Sequence, residues 1–357
     1  MTCSPPPKFA TVIHHQAALD SRLDSLEQFV LAARDSVPLS AHPAWTQILH
    51  RALGHQPYVI EANGPDGRTV GYLPLVYLHS FLWGKFLVSL PYLNSSGVLA
   101  NHPTIQADLI ARASELAHEL NVRYLELRHE TAVHHPALNA TMTRKVHMRL
   151  PLPATTEKLW KSFDPKVRNQ VRKGEKNGFV VEWGGAELLP AFHDILCHNM
   201  RDLGSPFYGI GLFREILAAF PGRAEICLLC DKQQPAAAAL LFHGWGVTEV
   251  PSASSLKEYN PTNANMLMYW ELLKRAIDRR QKMFDFGRST VDGPTYRFKK
   301  QWGAEPQPAV WQYHVLRGEV GEMRPDNPKY QRAIRIWKRL PVAVTRRLGP
   351  VIIRGIP

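Results

Sequence analysis

The sequence predicts an α+β protein made of two tandem copies of one module, and three observations carry that reading. A hairpin, a strand, a helix and a further strand follow one another twice in the same order. A proline-rich interruption, LPLPATT at residues 150–156, falls between the copies. The 357 residues, 45% of them hydrophobic, suffice for two cores of ordinary size. The expected division is 9–150, 151–318 and a basic tail, 319–357.

Residues 1–8 are Pro-rich and are expected to lack order. A helix is expected over residues 21–33, where Leu23, Leu26, Phe29 and Val30 recur at helical spacing. A second, over 43–53, stops at Gly54, a residue type suited to the left-handed turn that ends helices. The period then becomes that of strands. PYVIEA and TVGYLPLVYL flank the turn NGPDG, FLVSLPYL at 86–93 is a third strand, and the loop NSSG follows. A helix over 104–119 leads to the strand RYLELR at 123–128.

The second copy reads the same way. GRAEICLLC and AAAALLFHGW flank DKQQP, TEVPSASS is a strand, a helix spans 263–280, and KMFDFG is a strand. In that helix Met266, Trp270, Leu273 and Ile277 form an apolar stripe, and Arg279 and Arg280 suit its negative end. Between the copies, DPKVRNQVRKGEKNG predicts a short helix with Asp164 as N-cap and Pro165 at its first position. Arg168, Arg172 and Lys176 share one side of it, extended by Lys166 and Lys173, with Val167 and Val171 opposite. Such a side is either a solvated face or a grip for phosphates.

Composition narrows the function classes. Net charge is +12, and residues 324–357 hold nine Lys or Arg against one acid, Asp326. That bias implies an anionic partner: tRNA, a nucleotide-linked precursor or an anionic membrane surface. In the segment PDNPKYQRAIRIWKRL, Pro328 is expected to start a helix with Tyr330, Ile334 and Trp337 on one face and Arg332, Arg335 and Arg339 on the other. This helix could lie on a membrane or dock on the protein. Cys3, Cys197, Cys227 and Cys230 are too few and irregular for a disulfide framework, and Cys227 and Cys230 face opposite ways on one strand. The 16 histidines show no helical ligand spacing, so no metal is expected. No window reaches the roughly 20 apolar residues that span a bilayer. MTCSPPPKF lacks a signal-peptide core, and the expected location is the cytoplasm, with peripheral contact with the inner membrane open.

The stretch FDFGRSTVDGPTYRFKKQWGAEP, 284–306, is the candidate working site. Asp285, Arg288, Asp292, Arg297, Lys299 and Lys300 interleave there with Phe284, Phe286, Tyr296, Phe298 and Trp302. Unpaired charges are costly beside buried aromatics. Tyr259 and Asn260, in the loop before the second-copy helix, and Asn265 in its first turn, are further candidates, with Asn94, Ser95 and Ser96 in the equivalent first-copy loop. No G-x-S-x-G, H-E-x-x-H or P-loop string is present, which fits direct attack by an amine.

The strings NPTNANMLMYWELLKRAIDRRQKMFDFGRST and YRFKKQWGAEP resemble the C-terminal half of the FemAB-type aminoacyltransferases, and more narrowly the FemAB-related proteins of exosortase and PEP-CTERM exopolysaccharide systems. The likeness runs over most of the chain. It implies two tandem acetyltransferase (GNAT) folds and transfer of an aminoacyl or related acyl group to an amine of a peptidoglycan or exopolysaccharide precursor. It also implies a charged tRNA as donor, no resident cofactor, and Lys299, after Phe in YRFKK, as the cation that stabilises the transition state. Arg168, Arg172, Tyr259, Asn260, Asn265, Arg288, Tyr296, Arg297, Phe298 and Lys300 would then contact substrate. Asp285 would orient the acceptor amine or accept its proton, or else pair structurally with Arg288 or Arg297.

An acyl-coenzyme A donor remains the first alternative, although the nearest match to its [QR]-x-x-G-x-[GA] loop, Arg201 to Pro206, fails at the last position. A non-catalytic scaffold of an envelope-polymer assembly is the second. The related exopolysaccharide proteins carry Asn-Tyr-Gly-Gly where this chain has Asn94-Ser95-Ser96-Gly97, so acceptor identity stays open, as does the oligomeric state.

Overall fold

The computed structural model describes residues 7–33, 35–81, 83–320 and 330–357. The expectations for residues 1–6 with Cys3, and for Arg324, Asp326, Pro328 and Lys329, lie outside the described residues.

The chain divides into two compact units, one of residues 1–145, 308–322 and 355–357 and one of residues 146–307 and 323–354. Elements of the first are β1 (Ala10–His15), α1 (Gln16–Leu19), α2 (Leu23–Ala32), α3 (Trp45–Leu53), β2 (Gln56–Asn63), β3 (Thr69–Ser80), β4 (Gly84–Val88), β5 (Leu99–Ala100), α4 (Pro103–Glu119), β6 (Tyr124–His129) and β7 (Ala140–Met142). The second holds β8 (Lys145–Pro151), α5 (Thr156–Ser162), α6 (Pro165–Glu175), β9 (Val180–Gly184), α7 (Leu189–Leu203), α8 (Ile210–Ala219), β10 (Ala224–Asp231), β11 (Gln234–His243), β12 (Val247–Ser255), α9 (Ala264–Asp278), β13 (Met283–Thr290), α10 (Pro294–Lys300) and β14 (Glu305–Pro308). The chain then returns to the first unit as β15 (Val310–Val315), and α11 (Gln331–Trp337) and α12 (Val342–Ile353) pack on the second.

The repeated order is present: β2-β3-β4-α4-β6 is matched by β10-β11-β12-α9-β13. Strand order in the first sheet is β1-β2-β3-β4-β6-β15-β7, with β5 on β3, and in the second β14-β8-β13-β12-β11-β10-β9. β4 pairs with β6, and β12 with β13, in parallel, while β1–β2, β2–β3, β3–β4, β6–β15, β7–β15, β9–β10, β10–β11 and β11–β12 pair antiparallel. The expected boundaries need correction at both ends. β8 belongs to the second sheet: apolar and polar residues alternate in KVHMRLP as in a strand, Pro151 ends it, and it lies between β14 and β13. β15 lies between β6 and β7, so residues 308–318 leave the second unit, and the tail is part of the second unit.

Burial follows the apolar pattern. Ile105, Leu109, Ile110, Ala113, Leu116 and Ala117 of α4 pack on Ile60, Ala62, Leu73 and Leu75 of the first sheet. The approach is close at Gly71, where a Cβ would fall 2.6 Å from Ile105 Cγ2. The α9 stripe Met266, Trp270, Leu273 and Ile277 is buried in the second core with Val167 and Val171 of α6. Gly54 caps α3 with φ of 68°. β4 stops at Val88 and not at 93, since Leu90 and Tyr92 adopt φ of 44° and 72° around Pro91. Asp164 stands at the N-cap of α6 but its side chain makes no capping hydrogen bond. α7 and α8, which the sequence reading left without elements, fill 189–219.

One buried polar cluster fixes the base of the second sheet. Glu225 accepts from Arg275 at 2.8 and 2.6 Å and from Arg279 at 3.0 Å, and its Oε1 lies 2.7 Å from His243 Nε2. Burial alone would raise its pKa, but these partners outweigh it and hold the carboxyl well below the ordinary range. A depressed folded-state value contributes stability that is present above the unfolded value of 4.5 and is lost as pH falls toward the folded one. Glu225→Gln is expected to cost about 3 kcal/mol near neutral pH. The gap to wild type should shrink on acidification, read from urea unfolding midpoints across that range.

Candidate active site

The site forms where two parallel strands part. β12 and β13 pair at Val247–Met283, Thr248–Phe284 and Glu249–Asp285, after which β12 runs on to Ser255 beside β11 and no longer beside β13. Gly287 bends β13 just past that point with φ of 77°. Its N–H donates to Asp285 Oδ1 at 2.7 Å, so the carboxylate braces the bend in its own strand.

Asp285 is 2% exposed and takes a second donor from across the sheet, Arg149 Nε at 2.8 Å. Arg149 donates in turn to Gln307 Oε1 at 2.9 Å, which ties β14, β8 and β13 into a row. Fully buried His147 places Nδ1 3.8 Å from Asp285 Oδ2. Arg149, which the sequence reading did not offer beside Arg288 and Arg297, is a partner of Asp285 because β8 is the neighbour of β13 in the sheet. The sequence reading missed His147, Arg149 and Gln307. A signal existed, since residues 147 and 149 share one face of an alternating strand.

The paired lysines of α10 part company. Lys299 is 8% exposed, and its Nζ donates to the carbonyl oxygens of Gly287 and Arg288, each at 3.0 Å. Lys300 is exposed, its Nζ 5.8 Å from the centre of the Tyr296 ring. The inward cation thus sits against the bent half of β13, beyond the last parallel pair. Arg297 is exposed and Arg288 half-buried.

Aromatic side chains hold α10 in place. Phe298 packs edge-on to Tyr269 at 4.9 Å, Phe286 stacks on Tyr269 at 5.7 Å, and fully buried Trp302 meets Phe163 at 5.3 Å. Tyr296 and Phe298, expected to touch substrate, are engaged in this packing, because α10 buries its apolar side in the core that holds α9. Gln301 reaches Met266 in the same turns.

The remaining candidates gather at the entrance to α9. Tyr259 and Asn260 lie in a 3-10 turn over Lys257–Thr262, Tyr259 against Phe179 at 6.0 Å, and Asn265 is half-buried in the first turn. The end of α6 closes on this entrance: a Cβ on Gly174 would fall 3.1 Å from Asn263 O, and Asn177 donates to Thr262 O at 3.2 Å. On α6, Arg172 is exposed with its guanidinium 5.6 Å from the Trp160 ring, and Arg168 donates to Lys161 O at 3.4 Å. The Arg201–Pro206 string ends α7, with Gly204 at φ of 81°, so it does not open a helix. Beside it a polar cavity of about 350 Å³ is lined by Asp194, His198, Asp202, Ser255 and Lys257.

The first unit handles the same position differently. Glu126 stands in the register of Asp285, opposite Val88. Arg128 Nε donates to Glu126 at 2.7 Å and its Nη1 to Leu93 O at 2.7 Å, while its guanidinium stacks 4.1 Å from the Trp311 ring. Ser96 N donates to Arg128 O at 2.9 Å, so the Asn94–Gly97 loop folds back on β6. The gap between these strands is closed by the unit's own chain.

Residues 161–300 match a family model described as an acetyltransferase (GNAT) domain. Among solved structures, FemX aligns at 15% identity and a TM-score of 0.64, covering 90% of this chain and 100% of that one. L-PGS from Bacillus licheniformis aligns at 13% and 0.54, covering 91% and 96%. A tandem GNAT protein from the clavulanic acid biosynthesis pathway aligns at 12% and 0.53, covering 87% and 100%. The fold is α+β of GNAT type, shared with tandem GNAT proteins. The domain that spans the parted strands makes the chain an acyltransferase.

Arg149→Leu is expected to cost about 3–5 kcal/mol, since it strands a buried carboxylate. The double variant Arg149→Leu/Asp285→Asn should lose clearly less than the two single losses summed. Urea denaturation of the four proteins measures both.

Proposed function

We propose that the protein moves an aminoacyl or related acyl group from an activated donor to an amine of a cell-envelope precursor, a peptidoglycan or exopolysaccharide unit. The observation that carries this reading is the inward ammonium of Lys299 beside the gap between β12 and β13. An amine attacking an ester or thioester needs a cation where the carbonyl oxygen gains charge, and a buried ammonium acts there in a low dielectric. The carbonyls of Gly287 and Arg288 hold that ammonium, which limits reorganisation during the reaction. As the C–N bond forms and the bond to the donor breaks, the proton lost by the amine ends on the departing oxygen or sulfur.

Asp285 serves as a positioning residue in this reading. Its carboxylate already accepts from Arg149 and from Gly287 N–H, which makes it a poor base and a good brace. Arg168, Arg172, Arg288, Arg297, Lys300, Tyr259, Asn260 and Asn265 are proposed to meet the anionic parts of donor and acceptor. Location at the cytoplasmic face of the inner membrane belongs to the same reading.

A charged tRNA is the preferred donor. In coenzyme A-dependent GNAT domains a glycine-rich loop opens a helix to the pyrophosphate, whereas the turn before α9 lacks that string and is packed against Gly174 of α6 and Asn177 just beyond it. Acyl-coenzyme A is the second reading, favoured by the domain match itself. The names of FemX and L-PGS are compatible with the first.

Purified protein incubated with labelled aminoacyl-tRNA and an envelope-precursor extract is expected to transfer label to the precursor, with labelled acetyl-coenzyme A in a parallel arm. Lys299→Met should lower kcat by about 10²–10³. Lys300→Met, which removes only a proposed contact to anionic substrate, should raise KM while kcat stays within about threefold. Label taken only from acetyl-coenzyme A would select the second donor. No transfer from either, with Lys299→Met still supporting complementation, would leave a scaffold and defeat the catalytic reading.

A further inference from the structure

We propose that α11 and α12 form a docking face for the surface of an anionic phospholipid bilayer. α12 packs on the second unit around two small residues and leaves part of its apolar surface outside. Thr345 and Gly349 are its buried positions, and a Cβ on Gly349 would fall 3.0 Å from Phe207 O. Arg346 pairs with Asp194 of α7 on the same side. Opposite, Val344, Leu348 and Val351 recur at i, i+4 and i+7 and are 38%, 47% and 71% exposed. Arg347 and Arg354 flank that stripe by helical spacing and are exposed.

α11 divides its faces in the same sense. Ile334 packs on the end of α7, where a Cβ on Gly204 would fall 2.6 Å from its Cγ2, and Arg201 Nη1 donates to Leu340 O at 3.1 Å. Trp337 is half-buried and shares a crevice with Met200 and Phe207, so of the two expectations for the Trp face, lipid or protein, this residue takes the protein. Ile336, 53% exposed, stays outside with Arg332, Arg335 and Arg339.

Charge decides what covers the stripe. Residues 330–357 contain seven Lys or Arg and no Asp or Glu. A second copy of the chain would bring those cations face to face, which is repulsive. RNA would satisfy the cations but offers little to four exposed aliphatic side chains. An anionic bilayer takes both, the cations at its headgroups and the aliphatics at the acyl boundary. Among the described residues no helix is long and apolar enough to cross a membrane, so the contact is interfacial. This surface stands apart from the transfer chemistry, and either can fail alone.

Full-length protein is expected to float with phosphatidylglycerol vesicles, weakly with phosphatidylcholine vesicles, and less as salt rises. Leu348→Glu and Val351→Glu should each weaken binding about tenfold or more. Arg347→Gln and Arg354→Gln should each weaken it about fivefold. Unchanged melting temperatures confirm that these exposed substitutions leave the fold intact. The proposal is overturned if wild type ignores phosphatidylglycerol vesicles, or if Leu348→Glu floats as well as wild type. Binding of total tRNA by a protein that ignores vesicles, unaffected by Leu348→Glu, would assign the face to RNA instead.

Discussion

The parallel pairing of β12 with β13 lasts for three residue pairs and ends at Glu249–Asp285, and the organisation of the site depends on that ending. A parallel ladder that continued would leave no room between the strands. One that ended without support would leave peptide groups unpaired in the interior. The chain meets the second requirement with side chains. Asp285 takes the Gly287 N–H, and Lys299 takes the carbonyls of Gly287 and Arg288. In the proposed reaction the same ammonium that completes the backbone would supply the positive charge at the carbonyl oxygen.

The two copies show what happens when that arrangement is altered by one residue. At the position of Gly287 the first unit has Arg128, whose long side chain turns back to Glu126 and Leu93 O and lies on Trp311. An ion pair within the strand and a loop folded over it occupy the gap. His129, next along, packs so tightly under Gly97 that a Cβ there would fall 2.0 Å from its ring. Burial pushes the His129 imidazole down to about 4, so it is neutral at ordinary pH and behaves as a packing group. The repeated element order is visible in both sheets, while the bend at a glycine and the buried lysine beside it belong to one.

Much of this was legible in the chain because it rests on local pattern. The turn signals placed the hairpins, Gly54 ended its helix, and the stripe of α9 and the valines of α6 identified their buried faces. What escaped was non-local. Nothing near Asp285 indicates that its partner is Arg149, 136 residues earlier. A short strand such as β8 announces its alternation but not its neighbours, and the prolines around it looked like a boundary. The distinction between Lys299 and Lys300 depends on the direction in which a single helical turn presents each side chain, which spacing alone leaves open. The basic tail posed a similar problem, since its amphipathic pattern was plain but the side taken by the protein was set by small residues at 345 and 349.

The return of β15 to the first sheet has a consequence for how the protein is made. β6 keeps an open edge until residues 310–315 leave the ribosome, by which time nearly all of the second module has emerged. The amino-terminal module cannot mature first, as sequential domains commonly do. A nascent chain arrested between β6 and β15 would present that edge to other molecules, so an uncovered strand edge in carboxy-terminal truncations follows from the topology.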